Sequence, residues 1–552
     1  MNILMTCTNL NNSNHIPRTT WAPVLEKIAN NLYFFDYDDY QSELYKESVF
    51  MKLLNDKNID IIFYVVKEDD FRFNIWRKIK QNYPEVKIIS FFSDDDWRFN
   101  NYDRFIALYS DYFITTYPSS YKKYRKYGHK NVILSQWACN QKMFKPLDLE
   151  KKYDVTFIGS AYEPRIEWIR YLKDNGVKVK IFGEGWNKYD KLKGIYGGFL
   201  SSDDFIKVIN QSKINLSFTW SSRNDGKLQF KARNFEFAGC NSFQLTNYDE
   251  RLFRYYKHNE EIVTFNSKKN LIKKINYYLK NDKEREEIAK RAYERTIKEH
   301  TWEQRFRSIF KEVNSKDNNT NFNFNKNSKY NILIVNISKQ NNDEIKRKLN
   351  NQFNIKHIEV CKVNQLNIDK LKKGKYEFVT FMENDENWFG EKLEFQAYSL
   401  DKDKTDICIS DFYLNKNFQR RMMVNRILVD DKLDSMTYFL SFSTIMFSKN
   451  FFISNMNQII DSIDNRYLLK KILKHNKVSR IEIPLFEANN ISFRKYSFNI
   501  FYNYYKYSSF NFNSVLEKLK NENKYLLFAK LKILKLGKQI IEKLNYISKR
   551  MN

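Results

Sequence analysis

Short apolar runs separated by longer amphipathic stretches recur through the first half of the chain, and that alternation allows few architectures. Ile3–Thr6, Ile59–Val66, Val86–Phe92, Tyr112–Thr116 and Val132–Leu134 have the length and the β-branched or aromatic content of strands. Arg72–Tyr83 and Tyr121–Tyr127 have helical length and spacing. A second series follows Pro146: Asp154–Ile158, Val177–Phe182, Ile214–Phe218, Ser242–Thr246 and Ile262–Phe265, closing in a helical region from Leu271 to Val313. Strands alternating with helices predict α/β units with doubly wound, mostly parallel sheets. Two in tandem predict facing Rossmann-like domains, with ligands in the cleft beyond the carboxyl ends of the strands.

The remainder is organised differently. Residues 314–328, NSKDNNTNFNFNKNS, are Asn-rich without an apolar period and read as a linker. A third unit spans 329–497 and opens on the strand Tyr330–Ile337. An aromatic stretch, Phe498–Phe512, precedes a tail, Ser514–Asn552, in which ten Lys and Arg accompany three Glu and apolar residues recur every three or four positions. That tail fits an amphipathic helix lying on an anionic membrane surface, or one packed on the third unit or on a partner. The predicted boundaries are therefore 1–146, 147–313, the linker 314–328, 329–497 and 498–552.

Across 552 residues, 94 Lys and Arg face 66 Asp and Glu, a net charge of +28. Such a balance attracts polyanions, nucleotide substrates among them. The wealth of Lys, Asn, Ile, Phe and Tyr with only 13 Gly and 7 Pro equally fits AT-rich coding DNA, which weakens charge as a guide to partners. No helix-turn-helix, zinc or RNP signature accompanies the charge, so nucleic acid is not expected as a partner. Five scattered cysteines without a CxxC pair argue against a disulfide framework and fit a reducing compartment. MNILMTCTNL lacks the basic and apolar regions of a signal peptide, and no apolar run reaches the roughly 18 residues of a membrane span. These features predict a cytoplasmic protein, with peripheral contact at the inner face of the membrane if the tail binds lipid.

One stretch carries most of the chemistry: Lys231–Phe253, KARNFEFAGCNSFQLTNYDERLF. Phe235–Ala238 predicts a short helix ended by Asn241, with a strand over Ser242–Thr246. Glu236 and the cations Lys231 and Arg233 then gather at a helix start beside a sheet. Positive charge there suits a diphosphate, and the carboxylate suits sugar hydroxyls. Gly159 and Ser160, with Arg165 shortly after, follow the strand Val155–Ile158, where a glycine lets a ligand approach the backbone. In Phe182-Gly183-Glu184-Gly185-Trp186, glycines flank an acid before an aromatic, a loop that could cup a nucleobase or simply turn.

The ordered motifs FIGS, IFGEGW, KINLSF, KARNFEFAGCNSFQLTNYDERL and NEEIVTF, followed by the helix ending TIKEHTWEQRF, resemble the C-terminal domain of CgeB-like (spore maturation protein type) glycosyltransferases. FFSDDDWRF at Phe91–Phe99 and NVILSQWACN at Asn131–Asn140 resemble their N-terminal half. The resemblance covers about residues 1–313 and implies a GT-B fold. It implies a reaction that moves a sugar from a nucleotide diphosphate-sugar donor to a glycan, lipid-linked or protein acceptor, with no metal required in this cleft. By position, Glu236 matches the glutamate near the donor sugar, Lys231 and Arg233 the preceding basic pair, Gly159-Ser160 the glycine turn, and Thr246 a strand end near the nucleotide. Gly183 and Arg165 join the expected donor side. Related retaining enzymes carry a second glutamate eight positions earlier, where this chain has Leu228.

On the N-terminal side, Asp94, Asp95 and Asp96 could orient an acceptor or supply a general base, Asp96 being the candidate, or cap a helix. His15 is a second candidate base. Trp137 and Asn140 could line an acceptor subsite, or Trp137 could be interdomain core. In the third unit, KYEFVTFMENDENWFGEKLEFQ resembles the acidic segment of family 2 (GT-A) glycosyltransferases. That resemblance implies Mn2+ or Mg2+ at Glu383 and Asp385, with Glu386 beside them, if the unit is active. A decayed domain kept for acceptor docking or oligomerisation is the other reading. A non-catalytic scaffold built from degenerate transferase domains is the alternative for the chain as a whole.

Overall fold

The computed structural model describes residues 1–8, 17–40, 43–67, 71, 73–220, 228–315, 329–352, 355–383, 386–414, 442–464 and 466–488. His15, Asp385, most of the Asn-rich linker, the aromatic stretch and the basic tail lie outside them. The described residues divide at the linker into two compact units.

The first unit contains two sheets, both wholly parallel, in a Rossmann-like α/β arrangement. One is built from β1 (Asn2–Cys7), β2 (Asn31–Asp36), β3 (Ile61–Val65), β4 (Lys87–Phe92), β5 (Tyr112–Thr115) and β6 (Val132–Leu134), in the order β2-β1-β3-β4-β5-β6. The other uses β7 (Tyr153–Ile158), β8 (Val179–Phe182), β9 (Ser212–Ser217), β10 (Gln244–Asn247) and β11 (Val263–Phe265), in the order β11-β10-β9-β7-β8. Every expected strand of both series is present. The edge strand β2 and the helix Glu43–Asp56 were not expected. Only Phe35 and Asp36 of β2 are buried, so the strand lacks the apolar run of its neighbours.

The second sheet reverses its winding between β7 and β9, and a reversal of this kind opens a crevice at the carboxyl ends of the strands. Gly159 follows β7 at that point.

The helical region after β11 is three helices: Lys268–Lys280, Asp282–Glu299 and Trp302–Ser315. The last corrects the expected 147–313 boundary. Trp302, Phe306, Ile309, Phe310 and Val313 form a stripe at helical spacing, and they pack into the core of the first sheet with Trp21, Phe63 and Phe91. The Trp21 and Trp302 rings are 5.1 Å apart, and those of Phe63 and Phe306 5.6 Å. The chain thus returns to its N-terminal domain after building the second. The crossing is backbone-bonded: Cys139 N–H donates to His300 O and Trp302 N–H to Cys139 O, both at 2.9 Å.

The second unit is a mixed sheet of β12 (Tyr330–Asn336), β13 (Ile355–Lys362), β14 (Phe378–Met382), β15 (Glu386–Trp388), β16 (Ile407–Leu414), β17 (Ile445–Ser448) and β18 (Val478–Ala488). Its order is β13-β12-β14-β17-β16-β18-β15, with β17 antiparallel to both neighbours. One strand–helix–strand passage precedes β14, and a capping box, Asn341 with Glu344, starts its helix. Among the described residues no helix is long and apolar enough to cross a membrane.

Truncating Phe306 to Ala should cost about 3–5 kcal/mol, the usual range for a large buried aromatic. Denaturant unfolding followed by a probe in the first sheet tests whether the last helix belongs to that core. A cost confined to the second sheet would contradict the assignment.

Candidate active-site cleft

The loops after β7 and β8 meet backbone to backbone. Gly159 N–H donates to Phe182 O at 2.9 Å. Gly183 has φ +119°, and a Cβ there would lie 2.6 Å from Gly159 O. Both loops therefore need glycine to pack, and the crevice floor carries no side chain at these positions. Trp186 belongs beneath this floor: its ring is fully buried edge-on to Phe157, and its Nε1–H donates to Gly159 O at 2.7 Å. Of the two readings for this loop, the turn is the one observed. Ser160 is exposed at the loop surface.

Arg165 is corrected from a ligand contact to a brace. It is buried, stacks 4.0 Å over Tyr162, and donates to Ser160 O (3.2 Å) and Phe218 O (2.9 Å), tying the ends of β7 and β9. Burial, with the neighbouring Arg233 adding to it, lowers its pKa to about 10.

The expected short helix is Arg233–Gly239, and Asn241 closes it with φ +50°. Gly239 is required because Cys139 Sγ occupies the space a Cβ would need. Asn234, which sequence reasoning passed over, locks the helix to the sheet. Its Nδ2 reaches Gln244 Oε1 (3.0 Å), Ser217 Oγ (3.3 Å) and Thr246 Oγ1 (3.3 Å), while Gln244 Nε2 donates back to Asn234 O (2.8 Å). Thr246 is corrected with it: the residue is fully buried, and its hydroxyl donates to Ser217 O at 3.1 Å. The signal for this network is the Gln-x-Thr alternation of β10, whose side chains point inward toward Asn234.

The lock sets the outer face of the helix. Glu236 is nearly buried, with 13% of its side chain exposed, and forms an ion pair with Arg233 Nε at 3.9 Å. Burial raises its pKa and Arg233 partly offsets that. Arg233 donates to Ile158 O and lies 4.8 Å over the Phe205 ring, with a third of its side chain exposed. Lys231 donates to Gln229 Oε1 at 2.5 Å. Its pKa falls to about 8 through burial and Arg165, while Asp94 and Asp96 pull upward.

Lys231 thus lies within electrostatic reach of Asp94 and Asp96. Asp94 and Asp96 follow β4, so the carboxyl ends of the first sheet face those of the second. Asp94 makes no side-chain cap bond to the helix Asp95–Arg98 and accepts from Ser93 Oγ at 3.2 Å. Asp95 differs from its neighbours. It is fully buried beside the hydroxyls of Thr115 and Tyr124, and burial and Asp103 hold its pKa well above the usual range.

Arg251 is the residue the sequence reading missed. It pairs with Asp249 (Nη2 2.6 Å, Nε 2.8 Å) and donates to Leu228 O at 2.8 Å. Tyr117 and Asp96, from the first sheet's side, raise its pKa further. The available signal was Asp-x-Arg at a strand end, with Asp249 capping the turn that starts at Glu250.

Two acceptor-side expectations are corrected. Trp137 packs among Trp21 (6.2 Å), Phe91 (5.9 Å) and Trp302 (6.1 Å), so it is interdomain core. Asn140 is buried at the crossing, where Oδ1 accepts from Lys142 N–H (3.1 Å) and Nδ2 donates to Thr19 O (3.4 Å).

In the second unit, Glu383 Oε2 accepts from Phe442 N–H at 2.9 Å. Glu386 is buried in β15, accepts from Trp388 Nε1–H at 2.9 Å, and is raised by burial to about 7. Among the described residues no three His, Cys, Asp or Glu stand where they could hold a metal ion. Asp385, the other residue expected to hold a divalent cation beside Glu383, lies outside the described residues.

Comparison with known proteins bears on the first unit. Residues 141–311 match the family model described as Glycosyl transferase-like. That span holds Gly159, Lys231, Glu236 and Arg251, and stops short of the second unit. No curated protein matches the chain. Solved structures similar to it include Anabaena Alr3699/HepE in complex with UDP-glucose, at 10% identity and TM-score 0.43, covering 57% of this chain and 100% of that one. A glycosyltransferase from Rickettsia africae and the sucrose-phosphate synthase of Thermosynechococcus elongatus are also similar, each at 10% identity and TM-score 0.43 over 57% of this chain and 99% of theirs.

Replacing Gly183 by Ala should destabilise the protein by more than about 1 kcal/mol, since it adds a strained φ to a backbone clash. Thermal unfolding beside a Gly194→Ala control, where a Cβ meets nothing within 4 Å, checks it.

Proposed function

We propose that the cleft of the first unit is a glycosyltransferase site. It takes a nucleotide diphosphate-sugar on the β7–β10 side and a cell-surface glycan, glycolipid or protein acceptor on the side of Asp94 and Asp96. The observation that carries this reading is Lys231 held beside the glycine floor, half-buried and facing carboxylates of the opposite domain. A buried cation in a site of low dielectric stabilises the charge that develops on a departing diphosphate more than a solvated one would. Arg251 adds a second cation from the next strand end. Glu236, kept largely out of water, accepts from sugar hydroxyls. Asp96, on the acceptor side, is the group placed to take the acceptor's proton.

Leu228 fits a site of this kind that has dispensed with the first glutamate. Its carbonyl anchors Arg251, so the position contributes a charge-bearing neighbour through its backbone. For the second unit, engagement of Glu383 and Glu386 inside the fold favours a docking or oligomerisation role over a second metal-dependent transferase.

Lys231→Met should weaken nucleoside diphosphate binding by about tenfold or more, roughly the worth of one charge-assisted contact. Glu236→Gln should leave that binding within about threefold and lower transfer by about a hundredfold. Calorimetry with a panel of nucleoside diphosphates and a radiolabelled-sugar transfer assay read the two effects. Wild-type values in both variants would overturn the assignment.

The lowered pKa of Lys231 has its own signature. The amine loses its proton as pH rises through about 8. Diphosphate affinity should therefore fall between about pH 7 and 9 in the wild type and stay flat in Lys231→Arg, whose charge persists.

A further inference from the structure

His300 sits where the chain crosses back between the two sheets of the first unit, one residue from the paired backbone of Cys139 and Thr301. Its ring is buried and bonded at both nitrogens: Nε2 lies 2.8 Å from Tyr255 O and Nδ1 3.3 Å from Arg305 Nη2. A carbonyl oxygen can only accept and a guanidinium can only donate. Nε2 therefore carries the proton and Nδ1 the lone pair toward Arg305, which is the neutral Nε2–H tautomer. A second proton on Nδ1 would face the Arg305 guanidinium, with the backbone carbonyl of Glu299 as a competing acceptor.

The same ring touches the donor side of the cleft. Phe235, in the helix that carries Arg233 and Glu236, meets it at 5.6 Å, as does Tyr255, and Tyr256 meets it at 5.5 Å. Tyr255 ends the turn that begins with Glu250 and carries Arg251. Arg305 closes the group by lying over the rings of Phe235 (5.9 Å) and Tyr255 (5.7 Å).

We propose that His300 is a positioning residue for the donor side of the cleft, holding the Arg233–Gly239 helix and the Tyr255 turn in place only as the neutral Nε2–H tautomer, so that acid releases both. The inference rests on the donor role proposed for that helix. The groups facing His300 from each packed element are Arg305 on the last helix, Glu299 on the preceding one, and Tyr255 and Tyr256 on the turn, while the Arg233–Gly239 helix presents the uncharged Phe235. Burial and Arg305 lower the His300 pKa, while the Tyr255 carbonyl and Glu299 pull the other way. A histidine depressed in the closed state binds more protons in the opened one, so the closed state loses stability as pH falls through the ordinary range near 6.5 and on to the depressed value.

The test uses the full chain without ligand, so that failure to bind a nucleotide would leave its result intact. Hydrogen exchange over residues 233–240 and 255–257 is compared at about pH 7.5 and 5.5 after correction for intrinsic rates. Protection in the wild type should drop by up to about tenfold, the factor set by one pH unit below an ordinary histidine. His300→Gln keeps a donor for Tyr255 O and cannot titrate, so its protection should stay constant. Arg305→Gln offers Nδ1–H an acceptor, so its acid loss should shrink. No loss in the wild type, the same loss in His300→Gln, or an undiminished loss in Arg305→Gln would each overturn the proposal.

Discussion

The site depends on one backbone crossing. Cys139 lies between the carbonyl of His300 and the amide of Trp302, and around those two hydrogen bonds the chain passes between its α/β domains in both directions. The aromatic stripe that follows, from Trp302 to Phe310, is what the first sheet lacks to complete its core. Because the closing helix comes from the far end of the second domain, the first domain's core is incomplete without it. The same crossing sets the donor helix: Cys139 Sγ fills the space beside Gly239, and His300 fills that beside Phe235. The facing of the two sheets is thus a consequence of packing.

Within that frame, function follows from which polar groups are used up and which are left. Arg165, Thr246, Trp186 and Asn234 are consumed in tying strand ends together, with partners that are mostly backbone carbonyls or buried amides. Their consumption fixes the outer face of the Arg233–Gly239 helix and the two glycine turns. The charged groups gathered at the cleft are Lys231, Arg251 and Glu236 on one side and Asp94 and Asp96 on the other, several of them held by neighbours of their own. Burial of Lys231 costs its ammonium form stability, as its lowered pKa records, and under the proposed function a diphosphate would offset that cost.

Much of the fold was legible because a parallel sheet buries both faces, so its strands show as continuous apolar runs. β2 escaped because an edge strand has little of that pattern. The last helix was recognised as a helix but given to the wrong core, since periodicity reveals an apolar face and not its partner, here hundreds of residues away in sequence. At the site, the short helix, the strand after it and the two glycine turns were legible from spacing. Arg165 and Thr246 were misread because a polar side chain at a strand end looks the same whether it faces a ligand or a neighbouring carbonyl. Arg251 was passed over for a related reason: its anchors, Asp249 and the Leu228 carbonyl, come together only in the folded chain.

The central claim is that the donor occupies the first unit and that the second contributes no donor site. Hydrogen exchange of the full chain with and without a saturating nucleoside diphosphate, in buffer containing EDTA and again with Mn2+, addresses it most directly. The account predicts protection over residues 159–165, 229–239 and 246–251 in both buffers. Protection confined to residues 378–396 and dependent on Mn2+ would contradict it.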